Sequence, residues 1–181
     1  MRLIGGEWRG RPLEVPEVAG LRPSADRLRE TLFNWLQPHL HDARCLDLFA
    51  GSGALGLECL SRGAREATLV ERDARAARAL AASIATLAAG PRARLVHAAA
   101  EDFLGANAAP FDIVFVDPPF ERVCQLETLA ALVDGHLAPR ALVHVEAPRA
   151  MAWPAALPGA LSVHRERRFG DVVARLLREG T

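Results

Sequence analysis

The chain has 181 residues, half of them hydrophobic, and its 22 basic side chains balance 22 acidic ones. That length fits one globular domain with a small appendage, burying roughly 70% of the unfolded surface with no need of disulfide or metal. The composition excludes a disordered chain, a collagen-like repeat and a disulfide scaffold, and no apolar run reaches the roughly 18 residues of a membrane-spanning helix.

Residues 1–16 read as a hairpin, in which Arg2-Leu3-Ile4 and Pro12-Leu13-Glu14-Val15 flank a centre rich in glycine and arginine. Residues 16–23 read as a loop. Ser24 is placed to cap a helix running to about Leu36, with Leu28, Leu32, Trp35 and Leu36 on one face. Asp26, Arg29 and Glu30 fall off that face, and Pro38 stops the helix.

From residue 43 the pattern changes. Strands at 43–49, 66–71, 92–97, 111–117 and 140–146 alternate with helices at 54–62, 74–88 and 123–135. This predicts an α/β fold, a doubly wound parallel sheet with right-handed crossovers. Two last runs, 161–168 and 172–178, predict an antiparallel hairpin at the sheet edge and bring the sheet to seven strands. The expected division is a hairpin-and-helix appendage over 1–40 and the α/β domain over 41–181. Ligands of such sheets bind beyond the carboxyl ends of the strands, so functional groups belong just after the first four.

After the first strand, Gly51, Gly53 and Gly56 form GxGxxG between strand and helix, a turn that lets backbone approach a ligand. Glu71 ends the second strand twenty residues later, where a carboxylate can accept from both ribose hydroxyls. Asp47 precedes the loop. A pyrophosphate would be repelled there, so the acid points instead to a cationic ligand bearing an amino group, such as S-adenosylmethionine; a loop-capping acid is the plainer alternative. After the third strand, Glu101 could accept from an adenine amine, and Asp102 could equally cap a helix.

The fourth strand delivers Asp117-Pro118-Pro119-Phe120. Two prolines stiffen the backbone, so a carboxylate and a fixed carbonyl present two acceptors to an NH2 group on a planar ring, with the aromatic free to stack. Acceptors on both hydrogens localise the lone pair of a poorly nucleophilic exocyclic amine and stabilise the charge that grows as a methyl arrives.

Three cysteines, Cys45, Cys59 and Cys124, lie too far apart for a metal-binding pair and read as buried thiols of a reducing cytosol. The first six residues lack a signal-peptide core, the histidines lack ligand spacing, and all 22 basic residues are arginine, which fits a GC-rich coding bias.

Three stretches together resemble the RsmD family of bacterial 16S rRNA guanine-N2 methyltransferases: residues 47–58, residues 117–120, and the run from Leu21-Arg22-Pro23-Ser24 to Asn34-Trp35. The opening residues 2–11 and the final hairpin are similar too, so the likeness spans nearly the whole chain. It implies a class I methyltransferase (Rossmann-like) fold with S-adenosylmethionine as donor. The implied cofactor contacts are Asp47, Phe49, Ala50, Gly51, Ser52, Gly53, Glu71, Arg72, Ala100 and Glu101. It implies that Asp117 and the Pro118 carbonyl hold the amine, with Pro119 and Phe120 completing the catalytic corner and Phe120 packing on the base. The partner would be 16S rRNA in the small subunit or an assembly intermediate, met by a cytoplasmic monomer without membrane or metal.

A guanine amine inside a stacked helix is out of reach, so the target is unpaired or flipped. Arg9, Arg11, Arg22, Arg27 and Arg29 cluster near an appendage that could overhang the site and are candidate phosphate contacts. The bland alternative is a solvated helix face with ion pairs to Asp26 and Glu30. Arg165, Arg167 and Arg168 read as an exposed hairpin edge. Competing readings are an adenine-N6 or glutamine-N5 methyltransferase, a nicotinamide-dependent oxidoreductase, which leaves Asp47 and the Pro-Pro corner unexplained, and a non-catalytic assembly factor.

Overall fold

A computed structural model describes residues 1–14, 23–106, 109–119 and 122–180, without the side chains of 23–25. In chain order it contains α1 (Pro23–Leu36), a 3-10 turn (Gln37–His39), β1 (Arg44–Asp47), α2 (Ala54–Ser61), β2 (Glu66–Glu71), α3 (Ala74–Thr86) and β3 (Ala93–His97). Then follow α4 (Ala100–Leu104), β4 (Phe111–Val116), α5 (Gln125–Leu132), β5 (Leu137–Pro148), β6 (Ser162–Phe169) and β7 (Val172–Arg178).

The strands form one sheet in the order β3-β2-β1-β4-β5-β7-β6. The first five are parallel, and β7 lies antiparallel between β5 and β6. The order reverses between β1 and β4, which is where a doubly wound sheet opens a crevice for a ligand. β1, β2 and β4 are buried along nearly their whole length because helices cover both faces. One face packs Phe33 and Leu36 of α1 with Leu57, Leu80, Phe115 and Leu176. The other packs Leu46, Val70, Val114, Leu129, Val145 and Leu177. Leu3, Trp8 and Leu13 join the first of these clusters, so residues 1–14 and α1 share a core with the sheet.

Several expectations change. The two arms of the 1–14 ribbon do pair antiparallel, but only briefly: one bridge joins Arg2 to Pro12, and the Leu3, Gly10 and Leu13 amides donate across to the Arg11, Leu3 and Met1 carbonyls. The pairing goes no further because the amides between the arms turn to α2: Glu58 carboxylate oxygens accept from the Ile4 and Gly5 amides, each at 2.7 Å, and Ser61 Oγ accepts from the Trp8 amide at 2.9 Å. Helix α1 starts at Pro23, so Ser24 lies in its first turn rather than at the cap. Phe33 is fully buried and Arg29 is 6% exposed, although the 3.6-residue stripe omitted both. A helix does follow β3, but α4 starts earlier than a cap at Asp102 would set it: Ala99 precedes it, and Asp102 sits exposed in its first turn. β5 runs longer than 140–146 because it is paired on both sides, by β4 and β7. Cys124 is half-buried, unlike the buried Cys45 and Cys59.

Candidate active site

The loop after β1 turns through Gly51 (φ 52°) and Gly53 (φ 78°), left-handed values that favour glycine. Gly53 caps α2, and a Cβ there would meet Leu80 Cδ1 at 2.4 Å. Gly56 lets α2 press on β2, since its Cβ would lie 2.7 Å from Leu69 Cδ2. In front of Gly51 nothing lies nearer than the Phe49 carbonyl at 4.0 Å, so its backbone stays open to a ligand. Phe49 is half-buried, Ala50 is buried, and Ser52 Oγ lies 3.6 Å from Met1 Sδ.

Two acids frame this loop. Asp47, 2% exposed, accepts from the Gly56 amide at 3.1 Å. It therefore does tie the loop down, as the plainer reading held. Burial nonetheless pushes its carboxyl up to about 7, with the Glu71 carboxylate adding to the rise. Glu71 accepts from the Gly51 and Asp73 amides, both at 2.7 Å, one on each oxygen, leaving a second lone pair on each for a ribose hydroxyl.

Asp117 follows β4 across the crevice. Pro118 is buried, Pro119 is exposed, and the Pro119 carbonyl accepts from the Arg122 amide at 2.8 Å, which fixes the corner from its far side. Burial raises the Asp117 carboxyl well above the usual carboxylate range, with the Glu146 and Asp47 carboxylates adding to it. Phe120 lies outside the described residues.

Glu146 was missed. The last β4–β5 pair is Val116–Val145, so Glu146 faces Asp117 on the same side of the sheet. His144 Nε2 lies 3.1 Å from its Oε1, and buried Gln125 donates to its carbonyl at 3.1 Å. The available signal was an acid, two residues after His144, within the otherwise apolar run of 141–147. Glu71, Asp47, Asp117 and Glu146 thus line one edge, and among the described residues no arginine pairs with any of them.

The remaining candidates divide. Ala100 is buried beside β3, and the Glu101 side chain is exposed and ion-paired with Arg122, which follows the Pro-Pro corner. Arg72 is exposed. Arg29 is no surface arginine: it is buried, paired with Asp26 at 2.7 Å, and donates to the Arg2 carbonyl at 3.1 Å. Arg11 donates to the Thr86 carbonyl, at the end of α3 remote from Glu71. Thirteen helical residues span roughly 20 Å, so Arg11 and its neighbour Arg9 sit toward the opposite end of the sheet and do not overhang the catalytic edge. Arg27 is exposed on α1, and Arg22 lies outside the described residues.

A family model described as "Conserved hypothetical protein 95" matches residues 1–178. Ribosomal RNA small subunit methyltransferase D of Escherichia coli (strain K12) is 52% identical over 177 residues, 97% of this chain and 88% of the relative. The chain belongs to the RsmD family. A member of the same name from Haemophilus influenzae is 41% identical over 180 residues, 97% of this chain and 92% of its own length. The solved structure of E. coli yhhF superposes with a TM-score of 0.91 at 49% identity, covering 99% of this chain and 98% of that one. The RsmD chain here accordingly has the class I methyltransferase fold. Among its described residues no helix is long and apolar enough to cross a membrane, and no group of three or more His, Cys, Asp or Glu is arranged to hold a metal ion.

Proposed function

We propose that this protein transfers the methyl group of S-adenosylmethionine to the exocyclic N2 amine of a guanine in 16S rRNA of the small ribosomal subunit. The observation that carries this reading is the stiff Asp117-Pro118 corner standing across the β1–β4 crevice from the glycine loop. The four carboxylates on that edge suit a ligand with positive charge: Asp47 is a desolvated acid without a cationic partner, as expected if a bound cation completes it. Pyrophosphate, and with it a nicotinamide cofactor, would meet repulsion there.

Asp47, Phe49, Ala50, Gly51, Ser52, Gly53, Glu71, Arg72 and Ala100 would hold the donor, with the bare Gly51 backbone against it and Glu71 on its ribose. When bound, the donor supplies a methyl carbon made electrophilic by a sulfonium. The Asp117 carboxylate and Pro118 carbonyl accept the two N2 hydrogens, which keeps the nitrogen lone pair out of the ring and aimed across the crevice. As the N–C bond forms and the methyl–sulfur bond breaks, leaving a neutral thioether, the carboxylate would face the positive charge growing on the nitrogen. The surplus proton then leaves the nitrogen for Asp117 or water. Phe120 packs on the flipped base. Arg27, exposed on α1, and Arg22, just before that helix in sequence, would touch RNA, while Arg9 and Arg11 could meet only a distant part of the particle. The protein would act as a cytoplasmic monomer.

Small-subunit particles from a strain lacking the modification, incubated with labelled donor and digested for mass spectrometry, test this directly. N2-methylguanosine at a single position is expected; label on adenine, or none, would refute the reading.

A further inference from the structure

If Arg9 and Arg11 point to the far end of the sheet and Arg29 is buried, something else must steady the RNA beside the target base. Following one row of the sheet from the catalytic corner answers this. Across from Asp117 stands Glu146, Glu146 pairs with Ala174, and Ala174 pairs with Arg167. Directly paired residues share a face, so Arg167 on the edge strand β6 projects from the same side as Asp117. Three strand spacings separate them, roughly 14 Å. The row below runs Phe115, His144, Leu176, Arg165, which places Arg165 on that face as well.

The arginine is held rather than loose. Arg167 Cζ lies 5.5 Å from the Phe169 ring centroid, and its Nη1 is 3.5 Å from Thr31 Oγ1 of α1, the helix that packs Phe33 on Phe115. Thr31 in turn donates to the Arg27 carbonyl, so the exposed Arg27 belongs to the same surface. β6 is exposed along its length apart from half-buried Phe169. Its one acid, Glu166, is already paired with Arg175 at 2.8 Å, while Arg165, Arg167 and Arg168 make no ion pair among the described residues. Arg149 and Asp171 meet at the top of this strand through a backbone bond, at the turn beyond Phe169. Charge is therefore sorted along the edge: acids over β2, β1, β4 and β5, unpaired arginines over β6. Guanidinium groups in this setting suit phosphate oxygens, and a half-exposed ring under one of them suits an unstacked base.

We propose that the β6 edge, through Arg165 and Arg167 with Phe169 beneath, is the track on which the phosphodiester backbone flanking the target nucleotide lies. This rests on the rRNA reading above and adds the surface that presents the RNA. An edge strand carrying this much unpaired positive charge opposes pairing with another protein strand.

The test is binding of protein-free 16S rRNA at several salt concentrations by Arg165→Glu/Arg167→Glu, by the milder Arg165→Ala/Arg167→Ala, and by Arg75→Glu/Arg78→Glu on the exposed face of α3 as a control. S-adenosylhomocysteine affinity, measured by calorimetry, serves as the check that each variant is folded. Loss of two phosphate contacts predicts about tenfold weaker RNA binding for the alanine variant, more for the reversal, and a log–log salt slope flatter by about 1.4, with S-adenosylhomocysteine bound as by wild type. Wild-type affinity and slope in both β6 variants would overturn the proposal. So would an equal loss in the α3 control, or a defect seen only with assembled particles, which would make the partner a ribosomal protein. The binding measurement needs no methyl transfer, so failure of the guanine-N2 reading would leave its result on this surface intact.

Discussion

Glu146 faces Asp117 across β4 and β5, one residue beyond the Val116–Val145 pair, with its carboxylate 3.1 Å from the His144 ring nitrogen. The pairing couples the carboxylate proposed to grip the substrate amine to a second acid 29 positions away in sequence. Both carboxylates look into an edge that also contains Asp47, and it is the Glu146 and Asp47 charges, after burial, that raise Asp117.

Asp117 opposes the growing positive charge with a full negative charge only when ionised, so turnover should rise with pH through its raised titration. Glu146→Gln removes a like charge and lowers the Asp117 titration. The acid limb of the pH–rate profile should therefore move to lower pH, with S-adenosylhomocysteine affinity unchanged. A limb that stays in place would show that Glu146 does not act on Asp117. Asp117→Ala should cut turnover by about a hundredfold or more and leave cofactor affinity nearly intact.

Asp47 titrates near 7 in the free protein. A ligand ammonium favours its ionised form, and S-adenosylhomocysteine keeps that ammonium although it lacks the sulfonium, so its affinity should fall about tenfold between pH 8 and pH 6, with a proton released on binding at pH 6. Asp47→Asn should bind more weakly at pH 8 and lose this dependence; calorimetry in two buffers of different ionisation heat measures both. The stability effect has the opposite sign. Because the folded-state value lies above the unfolded one, the contribution is present below about pH 4 and is lost as pH rises through 7. Melting temperatures of the ligand-free Asp47→Asn variant should thus gain on wild type as pH rises from 5 to 8.

Glu58 is fully buried, accepts from the Ile4 and Gly5 amides and pairs with Arg62 at 2.7 Å. Glu58→Ala leaves two amides and a guanidinium short of an acceptor and should cost roughly 3 kcal/mol in urea unfolding. Limited proteolysis should then cut within residues 1–14. Resistance equal to wild type would mean the ribbon is held by Leu3 and Trp8 packing alone.

A chain of zero formal charge, whose unpaired arginines gather only over the short β6 edge, should bind naked RNA weakly and recognise a shaped particle better. Assembled small-subunit particles should be methylated faster than protein-free 16S rRNA at physiological salt. Equal rates on the two substrates would overturn this.

Much of the site was legible because its parts are local. A glycine loop between β1 and α2, an acid ending β2 and a Pro-Pro corner ending β4 are each written within a few consecutive residues, and parallel topology carries them all to one edge. The arginines were misread because exposure is not local. Arg29 sits off the apolar stripe yet is covered once the ribbon folds over α1 and offers the Arg2 carbonyl. Arg11 is near α1 in sequence but is carried down α2 by the Glu58 and Ser61 bonds.

The sequence by itself determined the alternation of elements, the turn geometry at Gly51 and Gly53 and the chemistry of the Asp117 corner, since backbone sterics and hydrophobic periodicity act over neighbouring residues. Only the tertiary structure decided that Glu146 stands beside Asp117, that Glu58 grips the first residues, and that Arg167 shares a face with the catalytic row. Strand register and helix packing join residues through space, and the free energy of those contacts exists only once the chain has closed on itself.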